Sequence, residues 1–355
     1  MRALRAGLLA AGAALPVLVL GAAASPAAAH VKWFFESEGY PLRWDLFLRP
    51  LPLGFVAGVS LATLLAALLW RARGRRGFVP GPEAFGADDG ARSLFYALVP
   101  AILGVHVAVP LLVNGVQGTL FSPDNELPGA WANFLGLAET GVALSLFYGG
   151  LTRPAAVALA GLWFAGIPLV GLQPMLDNVM FLGFAAFFFL AGRGPLSVDR
   201  LLFPALEPPA RYARLAVPAA RIGVGGSLIA AAFTEKLANI PLAVGFLRDS
   251  GLNFTPYLGV PLPDEVFVLL AGSVELLVGL WLVLGVFLRE VVIVAWFPVN
   301  LTLTLFLWEE LIGHLPVYGV MAVLLVWGAV PKNEALWLEG LRGRLVPVRE
   351  GRAAL

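Results

Sequence analysis

"VFVLLAGSVELLVGLWLVLGVFLR", residues 266–289, is an apolar run with a single acid, Glu275, inside it. About 20 consecutive apolar residues make a helix as long as the hydrocarbon core of a bilayer is thick. An ionised carboxylate facing lipid at that depth costs on the order of 3 kcal/mol or more. Glu275 must therefore face protein, a water-filled recess or a cation, or be neutral. "GLAETGVA", residues 136–143, sets the same problem for Glu139. Gly272 and Gly279 flank Glu275 at i−3 and i+4, which narrows that face and lets a second helix come close.

The rest of the chain carries the same message. Of 355 residues, 59% are hydrophobic and 13% charged, and the mean hydropathy is +0.84. Soluble domains carry roughly a quarter charged residues. Nine apolar segments of spanning length succeed one another: 51–70, 94–113, 131–150, 154–172, 175–192, 215–234, 265–287, 291–308 and 311–330. The fold class expected is therefore all-α and polytopic, in the lipid bilayer of a bacterial cytoplasmic (inner) membrane. A net charge of +1 gives no electrostatic case for nucleic acid. With no cysteine, disulfides, thiolate-held iron–sulfur clusters and dithiol relays are excluded.

Charge sets the expected orientation. The first segment ends in "RARGRR" (71–76), so it should run from outside to inside. Alternating the others places Arg92, Arg153, Arg193, Arg289 and the basic C-terminal tail in the cytoplasm. Outside fall only Lys32, Arg43, Arg49, Lys236 and Arg248. Before the spans, "MRALR", a long apolar stretch and "SPAAA" read as a signal peptide at 1–29. Cleavage after Ala29 would leave His30 as the first residue.

The two glutamates disclose a repeat. An offset of 136 (275 − 139) also lays Gly272 on Gly136, Gly285 on Gly149, Arg289 on Arg153 and Gly319 on Gly183. For the first helix of each copy the offset slips to 129, which pairs Arg221 with Arg92 and Glu235 with His106. Residues 92–192 and 214–330 are thus expected to be two four-helix units of like orientation. An external segment (30–49), an extra span with a cytoplasmic linker (50–91), a second linker (193–213) and a tail (331–355) complete the plan.

The second copy gathers polar groups near its outer end: Glu235 and Lys236 in "FTEKLANIP", Asn300, and Glu309, Glu310 and His314 in "LWEELIGHLP". Glu310 and His314, four apart, share a helical face. Glu275, Glu139 and His314 are the candidates for proton handling. Lys236, Glu235, Asn300, Glu310 and His106 are the candidates for contacting a substrate. The plain alternatives are a glutamic acid that glues two helices, acids solvated at a helix end, a lysine anchored at headgroups and a histidine satisfied within the core.

These residues carry a resemblance. "ARIGVGG" with Arg221, "TEKLANIP" with Lys236, and "SVELLVGLWLVLGVFLR" with Glu275, Gly279, Gly285 and Arg289 resemble the DoxX family of small four-helix bacterial membrane proteins. The likeness covers about 110 residues of the second copy and only weakly the first, where Val107 stands at the expected place of the lysine. It implies a membrane role in redox metabolism, in one branch as a quinone-reducing subunit.

"HVKWFFESEGYPLRW" (30–44) reads as an aromatic, amphipathic stretch lying at the membrane interface. An exposed His30 would add an amine and an imidazole able to chelate copper. Three functions are compatible with these features. The first is a quinone-linked redox subunit with intramembrane carboxylates as proton carriers, served by a protein partner or external electron donor. The second is a small-solute permease. The third is a copper-binding or assembly factor built on His30.

Overall fold

The computed structural model describes residues 31–328 and 331–342. The signal expected at 1–29, His30 and the end of the tail lie outside the described residues. Twelve helices organise the rest: α1 Val31–Phe34, α2 Pro50–Ala72, α3 Asp89–Gln117, α4 Ala130–Tyr148, α5 Thr152–Val170, α6 Leu172–Asp177, α7 Met180–Ala191, α8 Ala216–Ala231, α9 Ile240–Ser250, α10 Asp264–Leu284, α11 Leu288–Trp327 and α12 Pro331–Arg342. A π-helical turn, Ala232–Leu237, extends α8. One β-ribbon interrupts the helical pattern, with Thr119–Leu120 (β1) antiparallel to Ser122–Glu126 (β2).

Among the described residues, seven helices are long and apolar enough to cross a membrane. The chain is thus an all-helical, polytopic membrane protein. The α2 helix shows why lipid is required. It packs on α10, while Leu61, Leu64, Leu65 and Leu68 are all more than half exposed. So long an apolar face has no place in water.

Two of the nine expected spans take another form. Segment 175–192 is broken at Asn178, because the Asn178 side chain turns to Ser122 Oγ (3.3 Å) and to the Pro174 carbonyl (3.1 Å). Beyond the break α7 has 12 residues, about 18 Å of rise and short of the ~30 Å core. Its first amide, at Met180, is capped instead by Ser227 Oγ of α8 (2.8 Å). Segments 291–308 and 311–330 form one helical element, α11, of 40 residues. A straight helix would separate positions 289 and 325 by about 54 Å. Yet Arg289 Nε donates to the Leu325 carbonyl at 2.9 Å, so α11 doubles back and its two halves lie side by side.

The helices close into two groups. In one, α3 packs on α4, α4 on α5, α5 on α7 and α7 on α3. In the other, α8, α10 and the doubled α11 are mutually in contact. The groups meet twice, where α7 packs on α8 and where α11 packs on α3. At the first junction Gly183 faces Gly223 so closely that a Cβ on either would lie 2.7 Å from the other's Cα. At the second, Gly319 receives Leu103 and His106 of α3.

Local backbone repeats at the 136-residue spacing. Gly149 and Gly285 have φ of 70° and 72°. Leu151 and Phe287, each preceding a helix, have φ of 56° and 48°. Non-glycine residues seldom take that left-handed conformation. An arginine caps each preceding helix: Arg193 donates to the carbonyls of Leu146 (2.6 Å) and Phe147 (2.9 Å), and Arg221 to those of Leu282 and Val283. A guanidinium there meets the negative end of the helix and its orphan carbonyls. Burial draws the Arg193 guanidinium down to about 10, still charged at neutral pH.

Arg92 and Arg221, expected to match, have different kinds of partner. Arg92 bonds Asp89 and the Asn333 side chain (3.3 Å), and Arg193 does at α4 what Arg221 does at α10.

Replacing Gly223 by Leu should wedge α7 from α8 and cost about 1–3 kcal/mol. A lowered thermal midpoint in detergent checks it, with Gly141→Leu, at a position open to space, as the control.

Candidate functional site

The polar centre forms where α1 meets the end of α8. Three consecutive residues, Thr234, Glu235 and Lys236, are all buried. Successive residues of an α-helix point about 100° apart and could not share one side. The π-helical turn widens the helix and brings them inward together.

Lys236 Nζ lies 2.8 Å from Glu275 Oε1 of α10 and 3.6 Å from Glu235 Oε2. Lys236 is 2% exposed and Glu275 7%. The carboxylate in the apolar run thus faces protein and a cation, as the cost of lipid exposure requires. Glu235 Oε2 also accepts the N–H of Val31 at 2.9 Å. Beside it Lys32 Nζ approaches Asp177 Oδ2 at 2.5 Å, and Thr234 Oγ1 donates to Asp177 Oδ1 at 2.7 Å. Burial pulls the Lys32 ammonium down, but Asp177 and Glu235 more than offset it and leave it raised. Its stabilisation is therefore complete below the ordinary lysine value of 10.5 and is lost only as pH rises above it.

The start of the external segment, residues 31–35, packs against the protein. Val31 is buried, Phe35 packs on Phe246 and Tyr40, and the Trp33 ring sits 5.8 Å from the His314 ring. His314 Nδ1 is 3.3 Å from Glu310 Oε1, one turn back on α11. Glu310 is 0% exposed, whereas its neighbour Glu309 is exposed.

An apolar cavity opens inward from this cluster. It encloses about 50 Å³ among its lining side chains and is partly open to the exterior. Val224 and Leu228 of α8, Val274 and Val278 of α10, and Val291 and Met321 of α11 are among its walls. Its polar lining residues are Glu275 and His314.

Three other expected residues lie elsewhere. Glu139 is 0% exposed and accepts the Phe121 N–H at 3.1 Å. Its second oxygen has no partner among the described residues. The β-ribbon's turn at Phe121 thus gives Glu139 a donor, as Lys236 gives Glu275, but without the positive charge. Asn300 Nδ2 bonds its own helix at the Trp296 carbonyl (2.7 Å), and Asn300 Oδ1 accepts from Tyr318 (3.3 Å). That is helix-to-helix glue outside the cavity wall. His106 Nδ1 lies 2.8 Å from the Ile102 carbonyl, satisfied by its own helix. Lys32, Trp33, Thr234 and Asp177 belong to the cluster and were missing from the expected site. One signal was available. Only three lysines occur among 24 basic residues, and two of them, Lys32 and Lys236, meet here.

No family model matches the chain, and neither curated proteins nor solved structures give a match.

Lys236→Met should cost about 3–5 kcal/mol, because it removes the ammonium 2.8 Å from a buried carboxylate. Adding Glu275→Leu should recover most of that loss. Thermal unfolding of the two variants and the wild type in one detergent measures both. Glu139→Gln, which keeps the acceptor for Phe121, should cost less than Glu139→Ala by about 1–3 kcal/mol.

Proposed function

We propose that the protein is the membrane subunit of a quinone-linked redox system. A lipid-soluble quinone ring enters the cavity between α8, α10 and α11, and Glu275 and His314 serve it with protons. One observation carries this reading: an apolar, membrane-embedded cavity whose polar lining residues are a carboxylate and an imidazole. Quinone reduction takes up two electrons and two protons to form the quinol. The Lys236 ammonium can pass its proton on through the Glu275 carboxylate it touches, and Glu310 orients His314, so both proton routes start from fixed positions. The electrons come from a protein partner or an external donor.

The DoxX-like resemblance of the second half agrees with this role. So does an arrangement as two tandem four-helix units, supported by the matched turns at Gly149 and Gly285 and by the paired glycine junctions. In this reading the arginine-capped ends face the cytoplasm of a bacterial inner membrane, and α1 lies on the far side. A second reading, a small-solute permease, draws on the broken α6–α7 segment, since interrupted helices mark transport sites.

Titrating the purified protein with decylubiquinone should quench its tryptophan fluorescence saturably. Val278→Phe, which fills the cavity, should weaken that binding at least tenfold, or about 1.4 kcal/mol, without unfolding the chain. Glu275→Gln should keep binding but slow quinol formation by about 10²-fold or more. No saturable binding, or binding untouched by Val278→Phe, overturns the assignment. Uptake of a solute by proteoliposomes in the absence of quinone binding would favour the permease.

A further inference from the structure

We infer that Lys32, Glu235, Lys236 and Glu275 form a proton relay that joins an open crevice on the α1 side of the molecule to the apolar cavity. The relay rests on the reading of Glu275 as a proton-handling group of that cavity, and it supplies the route by which its proton is replaced.

The two ends of one polar chain line two different spaces. Lys32 lines a crevice of about 710 Å³ that is broadly open to the exterior. Glu36, Glu38, Asp124 and Glu126 line the same crevice, and an acidic wall raises the local concentration of cations, protons included. At the other end Glu275 lines the cavity between α8, α10 and α11.

Between the ends, basic and acidic groups alternate. Lys32 Nζ lies 2.5 Å from Asp177 Oδ2, and its ammonium is drawn to Glu235 as well. Glu235 Oε2 is bonded to the N–H of Val31, the residue before Lys32. The flexible four-carbon stem of Lys32 can therefore carry its ammonium from one carboxylate to the other. From Glu235 Oε2 the next nitrogen, Lys236 Nζ, is 3.6 Å away, and Glu275 Oε1 lies 2.8 Å beyond it. Thr234 Oγ1 donates to Asp177 Oδ1 at 2.7 Å, so Asp177 is a positioning residue that holds Lys32 at the mouth.

The choice of base fits a relay. Arginine does not give up its proton in a protein, whereas lysine can. Only three of the 24 basic residues are lysines, and two of them stand in this chain, while arginines cap the helix ends. A proton that moves within an ammonium–carboxylate pair leaves a neutral amine and a neutral acid, so burial does not oppose the step. The sequence balances. A proton passes from Lys236 through Glu275 to an acceptor in the cavity and leaves an amine at Lys236. A proton from Lys32 passes through Glu235 and restores that ammonium. Lys32 then takes a proton from water in the crevice. One proton enters, one leaves, and each group ends as it began.

The test follows the lysine Nζ hydrogens of the full chain, labelled with ¹⁵N-lysine and held in lipid nanodiscs without quinone. Three lysines give three signals, and those lost in Lys32→Arg and Lys332→Arg leave the third to Lys236. The expected result is ready exchange of the Lys236 hydrogens with water, although the residue is 2% exposed. Lys32→Arg keeps a cation beside Asp177 but cannot release a proton, and should slow that exchange at least tenfold. Glu235→Gln keeps an acceptor for Val31 and should do the same. Glu309→Gln, at an exposed acid of α11, should leave the rate unchanged. Matching elution volumes and thermal midpoints certify that each variant is folded. Exchange that Lys32→Arg or Glu235→Gln leaves unchanged overturns the relay. So does a wild-type Lys236 sealed from water, whether or not either variant folds. Because exchange is read without quinone, a failure of decylubiquinone to bind would overturn the use given to the cavity and leave the relay standing.

Discussion

The contact between Lys236 and Glu275 is the constraint around which the second half of the chain is organised. Neither group is tolerable alone at its depth, since desolvating an ion costs several kcal/mol even after relaxation. Bringing them to 2.8 Å requires α8 to end in a π-helical turn and α10 to come close. The close approach is made by Gly225 and Gly279, where a Cβ on either would lie within 2.8 Å of the other's carbonyl oxygen. The pair also draws in Glu235, which anchors Val31, and so fixes the segment just after the expected signal. A polar knot at one end and an apolar cavity beneath it therefore have one origin.

The opposite end is held differently. Arg193, Arg221 and Arg289 each donate to the last carbonyls of a neighbouring helix segment. These contacts use charge where helix ends need it, and they join segments far apart in sequence. Arginine suits that task because its rigid fork can serve two acceptors at once. Lysine is used instead at the other end, where a compact charge must fit among carboxylates. The division of labour between the two basic residue types reflects their shapes.

Much of this was legible in the sequence. The apolar runs gave the helical, membrane-spanning character. The depth argument for Glu275 and Glu139 gave their inward direction, because no other direction is tolerable in lipid. The four-residue spacing of Glu310 and His314 gave their shared face. What was not legible depends on contacts between distant segments. Nothing local says that Lys32 meets Asp177 across 145 positions, or that Val31 and Phe35 pack against α9. The break at Asn178 arises from a side chain that reaches Ser122, 56 residues away. Nor does anything local say that Arg193, from beyond α7, reaches back to the carbonyls that end α4.

The most direct measurement is a density map of the full chain in a lipid nanodisc, resolved well enough to place side chains. The carboxylate of residue 275 should lie against the amine of residue 236, with the first ordered residues of the chain packed over them and acyl chains kept outside α8 and α10. A map in which that carboxylate points to lipid, or in which the amine lies at the headgroups far from it, would contradict the central place given to this pair.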